Sequence, residues 1–84
     1  NAPPPLLLSG IRDGAVIKRL PGRSQATLPL QAIGGEGRRW WFLNGEPLDG
    51  HDRILSLNLD KSGEYQLLVM DDAGQVAAVE FAVQ

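Results

Sequence analysis

The chain is predicted to fold as an immunoglobulin-like, two-sheet antiparallel β-sandwich of about seven strands. Three observations predict it. Trp40-Trp41-Phe42-Leu43 is a run of strand-forming aromatic and apolar residues that ends on Asn44-Gly45, a pair suited to the positive φ angles of a tight turn. Gly63-Glu64-Tyr65-Gln66-Leu67 has the form of a tyrosine corner leading into a strand. Turn signals recur every ~8–12 residues, and no segment carries a 3.6-residue apolar period.

Taken in chain order, residues 6–9 are a short apolar run and a first edge strand. Asp13-Gly14 is a hairpin-type signal, and residues 15–20 form the next strand. Pro21-Gly22-Arg23-Ser24 is a turn. Residues 27–33 alternate, with Leu28, Leu30 and Ala32 on one face and Thr27, Pro29 and Gln31 on the other. Pro29 cannot donate a ladder bond, so its amide position is expected to face away from a partner strand or lie at a bulge. Gly34-Gly35-Glu36-Gly37 is a loop, residues 38–43 are strand C, and Asn44-Gly45-Glu46-Pro47 is a turn. After the polar loop Asp49-Gly50-His51-Asp52, residues 53–59 alternate again, with Leu55, Leu57 and Leu59 on one side. Residues 65–70 form strand F, Asp71-Asp72-Ala73-Gly74-Gln75 a hairpin loop, and residues 76–83 strand G.

The 84 residues amount to one domain with a small core, and no cysteine is present to brace it. Residues 1–5, with Pro3-Pro4-Pro5, read as a proline-rich linker remnant, and residues 6–84 as the folded module. A net charge of −2 with both signs interspersed argues against nucleic acid, which calls for a basic stripe. Arg12, Lys18, Arg19 and Arg23 read as solvated strand and loop positions. No apolar run reaches the ~20 residues of a membrane helix, so no direct membrane insertion is expected.

Residues that could carry chemistry each have a simpler explanation. His51 is the only histidine, and with Asp49 and Asp52 it falls short of the three or four ligands of a metal centre, so no metal and no cofactor is expected. Lys61-Ser62-Gly63 has the shape of a penicillin-interacting motif, but that chemistry needs a serine three places before a lysine, and no such pair exists here. Asp71 and Asp72 read as turn formers that cap local amides and not as a catalytic pair. No nucleophile paired with a base is visible, and the domain is read as non-enzymatic.

Alternation assigns the aromatics. One strand cannot send three successive side chains into one core. With Trp41 and Leu43 inward, Trp40 and Phe42 face outward. On strand F, Tyr65, Leu67 and Val69 point in while Leu68 and Met70 point out. On strand G, Val79, Phe81 and Val83 point in while Ala78 and Ala82 point out. Strands C, F and G are neighbours in this architecture, so Trp40, Phe42, Leu68 and Met70 are expected to share an outer apolar patch suited to a protein partner. The competing expectation is that Leu6-Leu7-Leu8 or the long loops fold over that patch. A second reading makes the surface a glycan-binding one, with Trp40 and Phe42 stacking on sugar and Asn44, Asp49, His51 and Asp52 bonding hydroxyls.

The order Asp13-Gly14-Ala15-x-Ile17, Leu28-x-Leu30-x-Ala32, Gly34-Gly35, Trp41-Phe42-Leu43-Asn44-Gly45 and Gly63-x-Tyr65-x-Leu67-x-Val69-x-Asp71-x-x-Gly74 resembles the small C-terminal domain of class A penicillin-binding proteins of the 1C type. The resemblance runs from about Leu8 to the end of the chain. It implies a periplasmic module of an inner-membrane-anchored peptidoglycan synthase whose glycosyltransferase and transpeptidase sites lie in other domains. The partner it implies is the neighbouring transpeptidase domain or another envelope protein, with peptidoglycan as the alternative. The tyrosine-corner reading of Tyr65 belongs to the general sandwich pattern and not to this family.

Overall fold

The computed structural model describes residues 2–84. These form β1 (Leu7–Ser9), β2 (Ala15–Ile17), β3 (Ala26–Ile33), β4 (Trp40–Leu43), β5 (Glu46–Pro47), β6 (Ile54–Leu59), β7 (Gly63–Met70) and β8 (Val76–Val83), with no helix. One sheet has the order β1-β3-β6 and the other β2-β8-β7-β4-β5. Strands C, F and G of the sequence reading are β4, β7 and β8, adjacent as that architecture requires.

The core lies between the sheets and follows the period-2 patterns. Leu28, Leu30 and Ala32 of β3 and Leu57 and Leu59 of β6 face Trp41, Leu67, Val69, Val79, Phe81 and Val83 of the other sheet. Trp41 is 2% exposed, and its indole N–H donates to the Asp52 carbonyl at 2.9 Å, so the polar edge of this large side chain is satisfied within the core. Tyr65 stacks on Phe81 at 5.6 Å between ring centroids, and its hydroxyl donates to the Lys61 carbonyl at 2.7 Å. The hydroxyl thus has its backbone partner in the loop before β7, and the ring is largely buried. Residues 61–63 serve that corner: Lys61 accepts the hydroxyl bond and Gly63 opens β7.

Beyond strand bounds that shift by two or three residues at β2, β4 and β7, the pairing differs from the sequence reading in these respects. Glu46-Pro47, taken as part of a turn, is the short strand β5, because the Asn44-Gly45 turn folds it back to pair with Phe42 and Leu43. Asn44 carries φ 50° and Gly45 φ 83°, as a tight two-residue hairpin requires. Asp13-Gly14 does turn the chain, with the Ala15 amide donating to Arg12 O at 3.1 Å, but it makes no hairpin: β1 and β2 lie in different sheets. Its Asp13 carboxylate instead accepts the Glu80 amide at 2.8 Å, and the Gly14 amide donates to Glu80 O at 2.7 Å. These bonds dock β2 beside β8 in parallel register, the one parallel pair among the described strands.

Pro29 is accommodated by hydrogen-bond phase. The Ala32 amide donates to Arg53 O at 2.7 Å, which makes that opposed pair a bonded one. Bonded and non-bonded pairs alternate along an antiparallel ladder, so Pro29 and Ser56 face each other as a non-bonded pair. The missing N–H of Pro29 therefore points to the β1 side, where β1 has already ended at the Ser9–Gln31 pair.

Candidate functional site

The outer face of the β4–β7–β8 sheet is built from two rows across three strands. Trp40 lies opposite Met70, which lies opposite Val76; Phe42 lies opposite Leu68, which lies opposite Ala78. Pro47 of β5 flanks Phe42. Alternation turns these residues away from the core, and among the described residues no further strand or helix lies over them. Trp40, Phe42, Leu68 and Met70 are half-buried, and Val76 is 51% exposed. The expectation that the N-terminal leucines fold over this face is overturned. β1 pairs with β3 in the opposite sheet, and Leu6 is buried in the core.

Trp40 is held in place by polar neighbours. Its indole N–H donates to Asp72 Oδ1 at 3.2 Å. The Arg38 guanidinium carbon lies 5.0 Å from the ring centroid, and the His51 ring packs at 4.4 Å with a 54° tilt. Asp72 Oδ2 accepts the Arg38 amide at 2.8 Å and the Arg38 Nε at 3.5 Å. His51 Nδ1 lies 3.2 Å from the Arg39 carbonyl, which can only accept, so this contact calls for the Nδ1–H tautomer. The Trp40 ring is thereby pinned as an edge of the apolar face.

The two aspartates of the β7–β8 loop organise this end of the sandwich. Asp71 is 2% exposed. One carboxylate oxygen accepts the Ala73 and Gln75 amides at 3.0 and 2.8 Å, and the other accepts the Glu36 amide at 3.0 Å and Gln75 Nε2 at 2.9 Å. Burial pushes this carboxyl up. The backbone and side-chain bonds from Gln75, with those from Glu36 and Ala73, outweigh it and hold the pKa below the ordinary 3.8. The Arg38 amide and then the Trp40 indole lower Asp72, against the opposing effect of burial and with further help from the Arg38 charge. Both carboxylates are spent on local donors.

Arg39 is a residue the sequence reading passed over. It is 2% exposed, and its guanidinium donates to the carbonyls of Gly37, at 2.6 Å, and Gly34. The signal was available: Arg39, Trp41 and Leu43 share one parity on β4, so the alternation that sends Trp41 inward sends Arg39 inward too. It closes the glycine-rich loop over the end of the core.

The glycan-binding set comes together only in part. His51 touches Trp40, but Asn44 sits at the far end of β4, about 13 Å away at the strand rise. Its side-chain oxygen is already taken by the Gln66 amide at 2.9 Å. Asp49 and Asp52 are exposed residues of the loop that runs beside β4, where the Leu48 amide donates to Trp41 O at 2.8 Å and the Asp52 carbonyl accepts the Trp41 indole. Among the described residues, no group of three or more His, Cys, Asp or Glu stands close enough to hold a metal ion.

The sequence matches the Penicillin-Binding Protein C-terminus Family over residues 1–81. It is 64% identical over 80 residues to penicillin-binding protein 1C of Escherichia coli (strain K12), an alignment that covers 95% of this chain and 10% of that relative's length. No solved structure matches the chain. The relation to penicillin-binding protein 1C supports an accessory domain of a penicillin-binding protein, and a match across nearly the whole sequence shows that this chain belongs to the penicillin-binding protein C-terminus family.

Proposed function

We propose that this domain is a non-catalytic accessory module of a peptidoglycan synthase in the cell envelope, and that it works by docking protein against the outer face of β4, β7 and β8. The observation that carries the proposal is the outward-facing, partly exposed double row of Trp40, Phe42, Leu68, Met70, Val76 and Ala78. An apolar face of this kind, bordered at Trp40 by Arg38, Asp72 and His51, has the make-up of an interface core with a polar rim. The occupant is the neighbouring transpeptidase domain of the same protein or a second envelope protein. The periplasmic side of the membrane is the compartment this role requires. No helix of the described chain is long and apolar enough to cross a membrane.

The test compares wild-type domain with Trp40→Ala and Phe42→Ala in binding to the remainder of the parent synthase, alongside co-sedimentation with purified sacculi. Docking predicts binding to the protein, weakened at least ~10-fold by either substitution, which is the scale of a hot-spot aromatic. Sedimentation with sacculi that is lost in Trp40→Ala would replace this reading with the glycan one.

A further inference from the structure

The two sheets expose four edge strands: β1 and β6 in one, β2 and β5 in the other. β1 and β2 are three residues long and β5 two, short enough to offer little to another chain. β6 is different. It runs for six residues, Ile54-Leu55-Ser56-Leu57-Asn58-Leu59, with no proline and no charge, and its register with β3 is unbroken from Ala26 to Gln31. None of the devices that usually blunt an edge is present along it.

The phase of the ladder says which groups are free. Arg53 is bonded to Ala32, so by the two-residue period Leu55, Leu57 and Leu59 turn their amides and carbonyls to β3. Ile54, Ser56 and Asn58 turn theirs outward, where none of the described strands pairs with them. Three donors and three acceptors therefore stand in a row, beside an Ile54 side chain that is 68% exposed.

We infer that β6 is a self-association edge, on which a second copy of this chain lays its own β6 antiparallel about a two-fold axis at Ser56. The free groups at 54, 56 and 58 are spaced symmetrically about Ser56. A two-fold there pairs Ile54 of one copy with Asn58 of the other and Ser56 with Ser56, matching every outward group on both copies. The same register sets Leu55 opposite Leu57 on the inner face and so extends the row of core leucines into one six-stranded sheet. Along the strand no like charges meet. Arg53 and Asp60 flank it with opposite signs, and antiparallel pairing brings the Arg53 end of one copy to the Asp60 end of the other. This edge lies in the sheet opposite the Trp40 face, so the inference stands or falls separately from the docking role.

Sedimentation of the 84-residue chain between ~10 μM and ~1 mM, a span chosen to reveal weak association, should show a monomer–dimer equilibrium. The outward amides of Ser56 and Asn58 should exchange hydrogen more slowly as concentration rises. Ser56→Pro removes an N–H that β3 does not use, so the monomer should keep its circular dichroism and Tm while the dissociation constant rises at least ~10-fold. Ser56→Lys and Ser56→Glu set like charges face to face across the axis. Each variant alone should be monomeric, and their mixture should recover a heterodimer. A wild-type chain that stays monomeric throughout this range overturns the inference. So does a lysine–glutamate mixture that fails to pair, or a dimer that Trp40→Ala abolishes.

Discussion

Trp41 reaches Asp52 with its indole while its rings fill the centre of the core, so truncating it removes packing and a hydrogen bond together. Trp41→Ala should lower stability by about 3–5 kcal/mol. Against the ~4–13 kcal/mol typical of a chain this long, that removes a large share of the total, which urea titration with circular dichroism would show as a lowered midpoint. Asp71 makes a prediction of a different kind. Its folded pKa lies below the ordinary value of 3.8, so its contribution is fully present above the unfolded pKa and is lost as pH falls through the folded one. Asp72 carries the same sign. Thermal melts from pH 7 downward should show Tm falling below about pH 4. Asp71→Asn should be less stable at pH 7 and should flatten that acid limb, since the variant has no carboxyl to protonate at 71.

At the scale of elements, β1 is held by a contact its length would not suggest. Gly10 follows it with φ 108°, and a Cβ there would collide with the carbonyl oxygen of Pro29. Gly10→Ala combines backbone strain with that collision and should cost about 1–3 kcal/mol. Gly14→Ala meets no neighbour within 4 Å and should cost less; paired chemical denaturations of the two variants measure the difference. The sequence made most of the strands legible because each carries an alternating pattern: residues 28, 30 and 32, residues 55, 57 and 59, and residues 79, 81 and 83 are the inward sets in the structure as in the reading. β5 escaped because two residues after a turn carry no period. The partner of β2 escaped because Asp-Gly reports that the chain turns, not which sheet the next strand joins. Of the candidate site, the outward parity of Trp40, Phe42, Leu68 and Met70 was readable, whereas the ring of Arg38, His51 and Asp72 around Trp40 depends on loops meeting across the fold. Arg39 was hidden only by the habit of placing arginine outside.

For the molecule as a whole, folding and surface role should separate by face. Trp40→Ala removes an indole bond to a partly exposed Asp72 and leaves the core untouched, so stability should change by no more than about 1 kcal/mol. A large fall in Tm would show that the β4–β7–β8 face is needed for folding and not reserved for a partner. The parallel docking of β2 on β8 has a mechanical consequence. Tension applied from the two ends of the chain draws β2 back along its own start and β8 forward along its end, so the two strands slide past one another. The cross-links at Asp13–Glu80, Gly14–Glu80 and Ile17–Gln84 then bear the load together instead of opening one after another. Pulled this way, the domain behaves as a shear clamp, and single-molecule stretching should record a rupture force that Asp13→Ala lowers.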